Sequence, residues 1–292
     1  MRQLSIAARP TAIEAASRYP PYLLAAGRLV RAVVSQRAGG LLVVVNMNPD
    51  QKCNFDCLYC EVRRSAQNRG RRMDVSVMSE ELRAMLLRLD SGGAMAFKEL
   101  AGAPSDLLKL KAVALSGDGE PALCPKFFEV VREIHRIRKA GEFPWFKLIL
   151  VSNSSGLDSP SVRKGLDLFD AADEIWLKLD AGTPSFMKSI NNTLVPLSQV
   201  LRNIRSLGRK RPVVIQSLFC GINGEGPGDR EIDAYVRRLE ELRKSGTRIC
   251  LVHIYSVSRP PARSECTHLS LARLSEIARI VRERTGLMTE VY

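Results

Sequence analysis

"LLVVVNMNPDQKCNFDCLYC", residues 41–60, holds a strand and a metal-ligand pattern back to back. Residues 41–47 form a β-branched, continuously apolar run, as in a strand buried on both faces. A polar turn follows, and then Cys53, Cys57 and Cys60 in the spacing C-x-x-x-C-x-x-C. Outward from this strand, "AVALSG" (112–117), "FKLILVS" (146–152), "EIWLKLD" (174–180), "PVVIQSLF" (212–219) and "ICLVHIYSV" (249–257) repeat the apolar theme. Amphipathic stretches lie between them. In "SEELRAMLLRLD" (79–90), Leu82, Met85, Leu86 and Leu89 share one face. "PKFFEVVREIHRIRKA" (125–140), "EIDAYVRRLEELRKSG" (231–246) and "LSLARLSEIARIVRERTG" (269–286) show the same spacing, with Gly246 as a helix stop. Six strands, each followed by a helix, predict an α/β fold with a parallel sheet and right-handed crossovers. An open doubly wound sheet and a (β/α) barrel both fit, and both place function at the C-terminal ends of the strands.

The chain has 292 residues, enough for one large domain or two small ones, and 45% of it is hydrophobic, enough to fill a core. Lys and Arg outnumber Asp and Glu by 44 to 31, a formal charge of +13 that favours a polyanionic partner. An odd cysteine count, 7, in a chain of this size points to reduced thiols and a cytoplasmic setting. No apolar run is long enough to span a membrane. Residues 1–40 are Arg-rich, with Glu14 their sole acid, and read as an N-terminal helical extension packed on the domain that follows. A transit peptide has similar composition. Residues 91–111, with Gly92, Gly93, Gly102 and Pro104, read as an insertion.

Three clustered thiolates without a nearby fourth ligand suit three irons of a [4Fe–4S] cubane, leaving one iron open. Structural zinc wants a closed set of four, and here His253, Cys124 or Cys266 would have to complete it from a distance. Three buried, unliganded cysteines are the remaining reading, poorly suited to this polar turn.

The motif resembles that of the radical S-adenosylmethionine (SAM) superfamily, C-x-x-x-C-x-aromatic-C, with Tyr59 in the aromatic position. The resemblance implies a partial (β/α)6 TIM-like barrel over residues 41–292, with an N-terminal helical arm and a C-terminal helix. It implies two cofactors, a [4Fe–4S] cluster held by Cys53, Cys57 and Cys60, and SAM chelating the open iron. It also implies a reaction: reductive cleavage of SAM to a 5′-deoxyadenosyl radical that abstracts hydrogen from a substrate. A one-electron reductant such as flavodoxin or ferredoxin would supply the electron.

Other stretches extend the resemblance. "SGDGEP" (116–121) stands where the family has a "GGE"-like turn for the SAM amino group, which points to Gly117, Asp118, Gly119 and Glu120. Asn153, in "LVSNSSG", is the expected ribose contact. Trp176, Lys178 and Asp180 share one strand face, and Lys178 suits the SAM carboxylate unless it pairs with Asp180. Tyr59 and the inward-facing Gln216 are further expected cofactor contacts, and Tyr255 or Arg259 would reach the substrate. Together with "LKLDAG" and "IYSVSRPPAR", these resemble the branch of Fe–S oxidoreductases related to wybutosine-synthesis proteins, over residues 41–262. Those proteins carry a further N-terminal cysteine set, and residues 1–52 here have no Cys.

Cys124, Cys220 and Cys266 follow strands at the catalytic face, where some radical SAM enzymes bind an auxiliary cluster, but their spacing forms no motif. Cys250 reads as core. Arg63, Arg64, Arg69, Arg71 and Arg72 follow the cluster loop and would rim the site, gripping RNA or nucleotide phosphates or simply meeting solvent. The competing reading is a non-catalytic Fe–S or zinc protein that binds nucleic acid.

Overall fold

The computed structural model describes residues 23–64, 66–92, 105–258, 261 and 263–292. Strands β1 (Leu23–Ala26), β2 (Val30–Ser35) and β3 (Gly40–Asn46) come first. Then follow α1 (Val75–Asp90), β4 (Leu110–Ser116), α2 (Phe127–Lys139), β5 (Lys147–Ser152), α3 (Pro160–Leu166), β6 (Glu174–Lys178), α4 (Pro184–Asn191) and α5 (Leu197–Lys210). The chain continues with β7 (Val213–Leu218), β8 (Gly221–Ile222), α6 (Asp229–Lys244), β9 (Ile249–Tyr255), β10 (Cys266–Thr267), α7 (Leu271–Thr285) and β11 (Thr289–Val291).

Nine strands form one sheet in the order β1-β2-β3-β4-β5-β6-β7-β9-β11. Within this sheet every pairing from β3 onward is parallel, and each new strand adds beside the one before it; β8 and β10 pair antiparallel apart from it. A doubly wound sheet reverses its order at a switch point. This sheet does not, so its winding is that of a barrel, left partial with β1 and β11 as its two edges. The six predicted strands correspond to β3, β4, β5, β6, β7 and β9, and the predicted helices to α1, α2, α6 and α7. Gly246, with φ of 82°, lies just beyond the cap of α6, as its placement suggested.

The period of two sorts the strand side chains. Leu41, Val43, Val45, Val113, Leu115, Leu148 and Leu150 belong to the main core, together with Val130, Val131 and Ile134 of α2. The alternate residues, Leu42, Val44, Ala112, Ala114, Ile149, Trp176 and Val214, form a smaller apolar cluster on the concave face. That face encloses a cavity of about 530 Å³. Toward the strands' C-terminal ends the same inward positions turn polar: Asn46, Ser116, Lys178 and Gln216.

The expected helical arm is corrected over residues 23–35. These form β1 and β2, antiparallel to each other, and β2 pairs with β3 from Val30↔Val45 to Ser35↔Gly40. The sheet thus continues across the expected boundary at residue 40. The alternation in β2, where Val30, Ala32 and Val34 are buried, is that of a half-covered antiparallel strand. Residues 1–22 and most of the 91–111 stretch lie outside the described residues; Leu110 and Lys111 already belong to β4. Among the described residues, no helix is long and apolar enough to cross a membrane.

Candidate active site

The cysteine loop leaves the C-terminal end of β3 and is clamped on two sides. On one side, Asn46 Oδ1 accepts the N–H groups of Asn48 (3.2 Å) and Asp118 (3.1 Å), and Asn46 Nδ2 donates to Asp118 (2.8 Å). This joins the loops after β3 and β4. The glycines make the approach close enough. Gly117 has φ of 129°, and a Cβ there would meet Asn46 Oδ1 at 2.2 Å. A Cβ on Gly119 would stand 2.2 Å from the Lys52 carbonyl oxygen, next to Cys53, and Glu120 N–H donates to that carbonyl at 2.9 Å. On the other side, the N–H groups of Asp56 and Leu58 donate to the carbonyls of Asn191 (3.0 Å) and Ile190 (2.8 Å). These are end-of-helix carbonyls of α4 that lack an intrahelical donor.

Cys53, Cys57 and Cys60 are free and partly buried. The Phe55 N–H donates to Cys53 Sγ at 3.4 Å and Asn153 Nδ2 approaches the same sulfur at 3.9 Å. Asn191 Nδ2 donates to Cys57 Sγ at 3.5 Å. Burial pushes the Cys53 thiol up to about 11, the Phe55 N–H opposing, and burial raises Cys57 as well. Metal ligation would therefore release protons from these thiols. Among the described residues, no three His, Cys, Asp or Glu side chains converge as ligands of a single ion do. A cubane presents a separate iron to each thiolate, so its ligands need not meet at one point. Amide donors directed at the sulfurs are what ligating thiolates require of their surroundings. The residues fit an Fe–S cluster better than zinc.

Tyr59 is buried and donates its phenol to Asp180, and burial with that carboxylate holds its pKa well above the usual phenol range. Asp180 also accepts from Asn191 Nδ2 (2.9 Å) and from the Leu218 N–H (2.9 Å). Lys178 Nζ lies 3.7 Å from Asp180 and 4.5 Å from the Tyr59 ring centroid. Burial works against the charge on Lys178, but Asp180, with smaller contributions around it, outweighs burial and keeps it cationic. The ion pair anticipated as the plain reading of Lys178 and Asp180 is therefore present.

Glu120 and Asn153 are more engaged than their sequence positions suggest. Glu120 is buried and accepts from Ser152 Oγ (2.6 Å) and the N–H groups of Ala122 (3.0 Å) and Asn153 (2.7 Å). Burial raises its pKa, and those bonds oppose the rise. Its carboxylate braces the loops after β4 and β5. Asn153 Nδ2 donates to Asn54 Oδ1 (2.8 Å), and its Oδ1 accepts from Ser155. Asp118 lines the cavity, but Arg31 Nη1 pairs with it at 3.1 Å. Gln216 is buried, accepts from Arg37 (2.8 Å) and meets His253 Nδ1 at 3.4 Å. Tyr255 lines the cavity, and Arg259 lies outside the described residues.

Sequence reasoning missed Asn191 and Arg37. Asn191 ends α4, eleven residues after Asp180, and only the helix's return brings the two together. Arg37 lies in the β2–β3 turn, inside the stretch expected to be helical. The remaining cysteines divide. Cys220 and Cys266 hydrogen-bond to each other near Cys57, whereas Cys124 lines a second cavity, of about 620 Å³, with Cys53. They do not assemble as one ligand set. Cys250 is exposed rather than core; it is the second residue of β9, and its thiol donates to the Val213 carbonyl. Of the arginine run, Arg63 borders the barrel cavity, while Arg64, Arg69 and Arg72 line the second one. Arg64 pairs with Asp56 at 2.8 Å.

The chain is similar to several known proteins. The chain is 26% identical over 235 residues to a UPF0026 protein of Helicobacter pylori, covering 78% of this chain and 65% of that one. It is 29% identical over 178 residues to a UPF0026 protein of Synechocystis, covering 60% and 57%. It thus spans somewhat under two thirds of the relatives it matches. Among solved structures, a radical SAM methyltransferase from Sphaerobacter thermophilus superposes with a TM-score of 0.61 at 16% identity, covering 90% of this chain and 68% of that one. A structure of TYW1 with a lysine–pyruvate adduct bound gives 0.53 at 18%, covering 83% and 73%. SuiB of Streptococcus suis, bound to SAM, gives 0.57 at 13%, covering 88% and 52%. These share the fold. The family profile of the radical SAM superfamily matches residues 47–236, from the start of the cysteine loop into α6. The chain belongs to the radical SAM superfamily, whose [4Fe–4S] cluster and S-adenosylmethionine are its cofactors.

Proposed function

We propose that Cys53, Cys57 and Cys60 hold the cluster, that SAM lies at the barrel mouth beside the cluster loop and the Gly117–Glu120 turn, and that the substrate occupies the barrel cavity. When bound, the cluster and SAM supply reductive cleavage and a 5′-deoxyadenosyl radical for hydrogen abstraction. The chain's own residues do the rest. Asn153, Phe55 and Asn191 aim N–H donors at the ligating sulfurs. Lys178, paired with Asp180, lies against the Tyr59 ring, and Asp180 fixes the orientation of Tyr59. Gly117 and Gly119 let the backbone come close, while Glu120 keeps that turn in place.

The observation that carries this reading is the link from a sulfur to the cavity wall. Asn191 Nδ2 reaches Cys57 Sγ, Tyr59 Oη and Asp180 Oδ2. An inert buried thiol would not need such a mount. A one-electron reductant such as flavodoxin or ferredoxin completes the scheme. RNA or a nucleotide as substrate rests on the +13 charge and the arginine run. The enclosed cavity favours a small substrate over a folded RNA.

The test is iron content after anaerobic reconstitution. Wild type should bind about four irons per chain. Cys53→Ser, Cys57→Ser and Cys60→Ser should each lose most of that iron and all SAM cleavage, while Cys250→Ser changes neither. Zinc in place of iron, or cysteine variants that keep their iron, would overturn the assignment.

A further inference from the structure

Arg37 takes no part in the scheme above. Its turn, residues 36–39, joins β2 to β3 at the N-terminal end of the parallel strands, the end opposite the cysteine loop. From there the side chain enters the barrel. Its guanidinium carbon lies 4.3 Å from the Tyr255 ring centroid and 5.9 Å from that of Trp176, and Nη1 donates to Gln216 Oε1 at 2.8 Å. It lines the same cavity of about 530 Å³ that Tyr59 and Asp118 also line.

Two other cations near the cavity have carboxylate partners. Lys178 is answered by Asp180, and Arg31 by Asp118. Burial keeps the neighbouring His253 neutral. Among the described residues no carboxylate pairs with Arg37; its recorded partners are one amide oxygen and two aromatic faces. Arg37 is half-buried, and a cation drawn out of water into a cavity gains from a counter-charge. A guanidinium has five N–H donors in a fixed fork suited to carboxylate or phosphate. The aromatic faces hold the fork flat and occupy its π surface, not its edge.

We propose that Arg37 anchors an anionic group of the substrate, a carboxylate or a phosphate, inside the barrel beside Gln216 and Tyr255. The rest of the substrate then extends toward the cysteine loop, where hydrogen is abstracted. The substrate class is an acid-bearing small molecule, of a size a cavity of several hundred Å³ encloses. This rests on the reading that the cavity is the substrate site, and it goes beyond that reading by naming the recognised chemistry and the recognising residue.

The test uses the full chain after anaerobic reconstitution. Inorganic phosphate and succinate are titrated separately, and thermal unfolding is followed, with sodium chloride at matched ionic strength as control. A ligand that binds only the folded state raises Tm saturably. Wild type should respond to at least one of the two anions beyond the chloride control. Phosphate alone would mark a phosphorylated substrate, and succinate alone a carboxylic acid. Arg37→Met should weaken that response on the order of tenfold or more. Arg37→Lys, which keeps the charge and loses the fork, should fall between, and it serves as the comparison where Arg37→Met does not fold. No response of wild type beyond chloride, or an equal response in both variants, would overturn the proposal. Iron content and 5′-deoxyadenosine formation are measured on the same wild-type preparation. A protein that cleaves SAM but ignores both anions would sink this inference alone. One that holds no iron would sink the proposed function instead.

Discussion

Asn191 gathers a thiol, a phenol and a carboxylate on one amide: 3.5 Å to Cys57 Sγ, 3.0 Å to Tyr59 Oη and 2.9 Å to Asp180 Oδ2. Partners of ligands are commonly worth about 10–100-fold in metal affinity or activity. Asn191→Ala should therefore lower SAM cleavage by about that factor, and Asn191→Asp, which sets a carboxylate against the sulfur, by more. Activity per bound iron checks this; an unchanged rate would make the amide a packing group only. Gly119 tests the clamp from the other side. A Cβ 2.2 Å from the Lys52 carbonyl oxygen meets backbone that cannot swing aside. Gly119→Ala should cost about 1–3 kcal/mol of stability and displace the loop beside Cys53. A chemical denaturation curve and an iron assay measure both, and full iron loading at wild-type stability would contradict the clamp. At this scale the cysteines and Tyr59 were legible because local spacing carries them. Asn191 was not, because its role depends on where α4 ends.

Among the elements, β3 could be read from "LLVVVN", whose β-branched run, bounded by turn residues, suits a strand covered on both faces. β1 and β2 could not. Leu and Ala in 23–35 favour helix locally, and the decision comes from distant partners. β2 gains its hydrogen bonds from β3. The turn before it is held by Glu81 of α1, whose carboxylate accepts the N–H groups of Arg28 (2.9 Å), Leu29 (2.7 Å) and Val30 (2.9 Å). At the other side of the sheet, His253 of β9 lies between Trp176 and Tyr292, with ring centroids at 5.0 and 5.3 Å. Burial, and then Arg37, pulls its pKa from 6.5 down to about 3. Glu290 Oε2 is 3.7 Å from Nε2, but it is half exposed and does not offset the burial. The folded chain therefore refuses a proton that the unfolded chain takes up below pH 6.5. Stability from this group is present above that pH and falls toward pH 3, by at most about 1.4 kcal/mol per unit. His253→Gln should lose stability less steeply than wild type between pH 7 and about 5. Urea midpoints across that range decide it, and parallel curves would contradict it.

For the molecule as a whole, alternating strand and helix patterns gave the parallel sheet but left its winding open. Strand order settled it: each parallel strand adds beside the last in one direction, so their C-terminal ends converge on one mouth. The concave face is then apolar at mid-barrel and polar at the mouth, where Asn46, Asp118, Asn153, Lys178 and Asp180 meet around the cysteine loop. Three thiols without a fourth ligand have a chemical reason only where a cofactor completes the metal's coordination. The most direct measurement is 5′-deoxyadenosine formation by anaerobically reconstituted protein given SAM and dithionite. Deoxyadenosine should form in proportion to bound cluster, and none should form with Cys57→Ser. Protein carrying a full complement of iron that leaves SAM intact, with and without small acidic or phosphorylated candidate substrates, would contradict it.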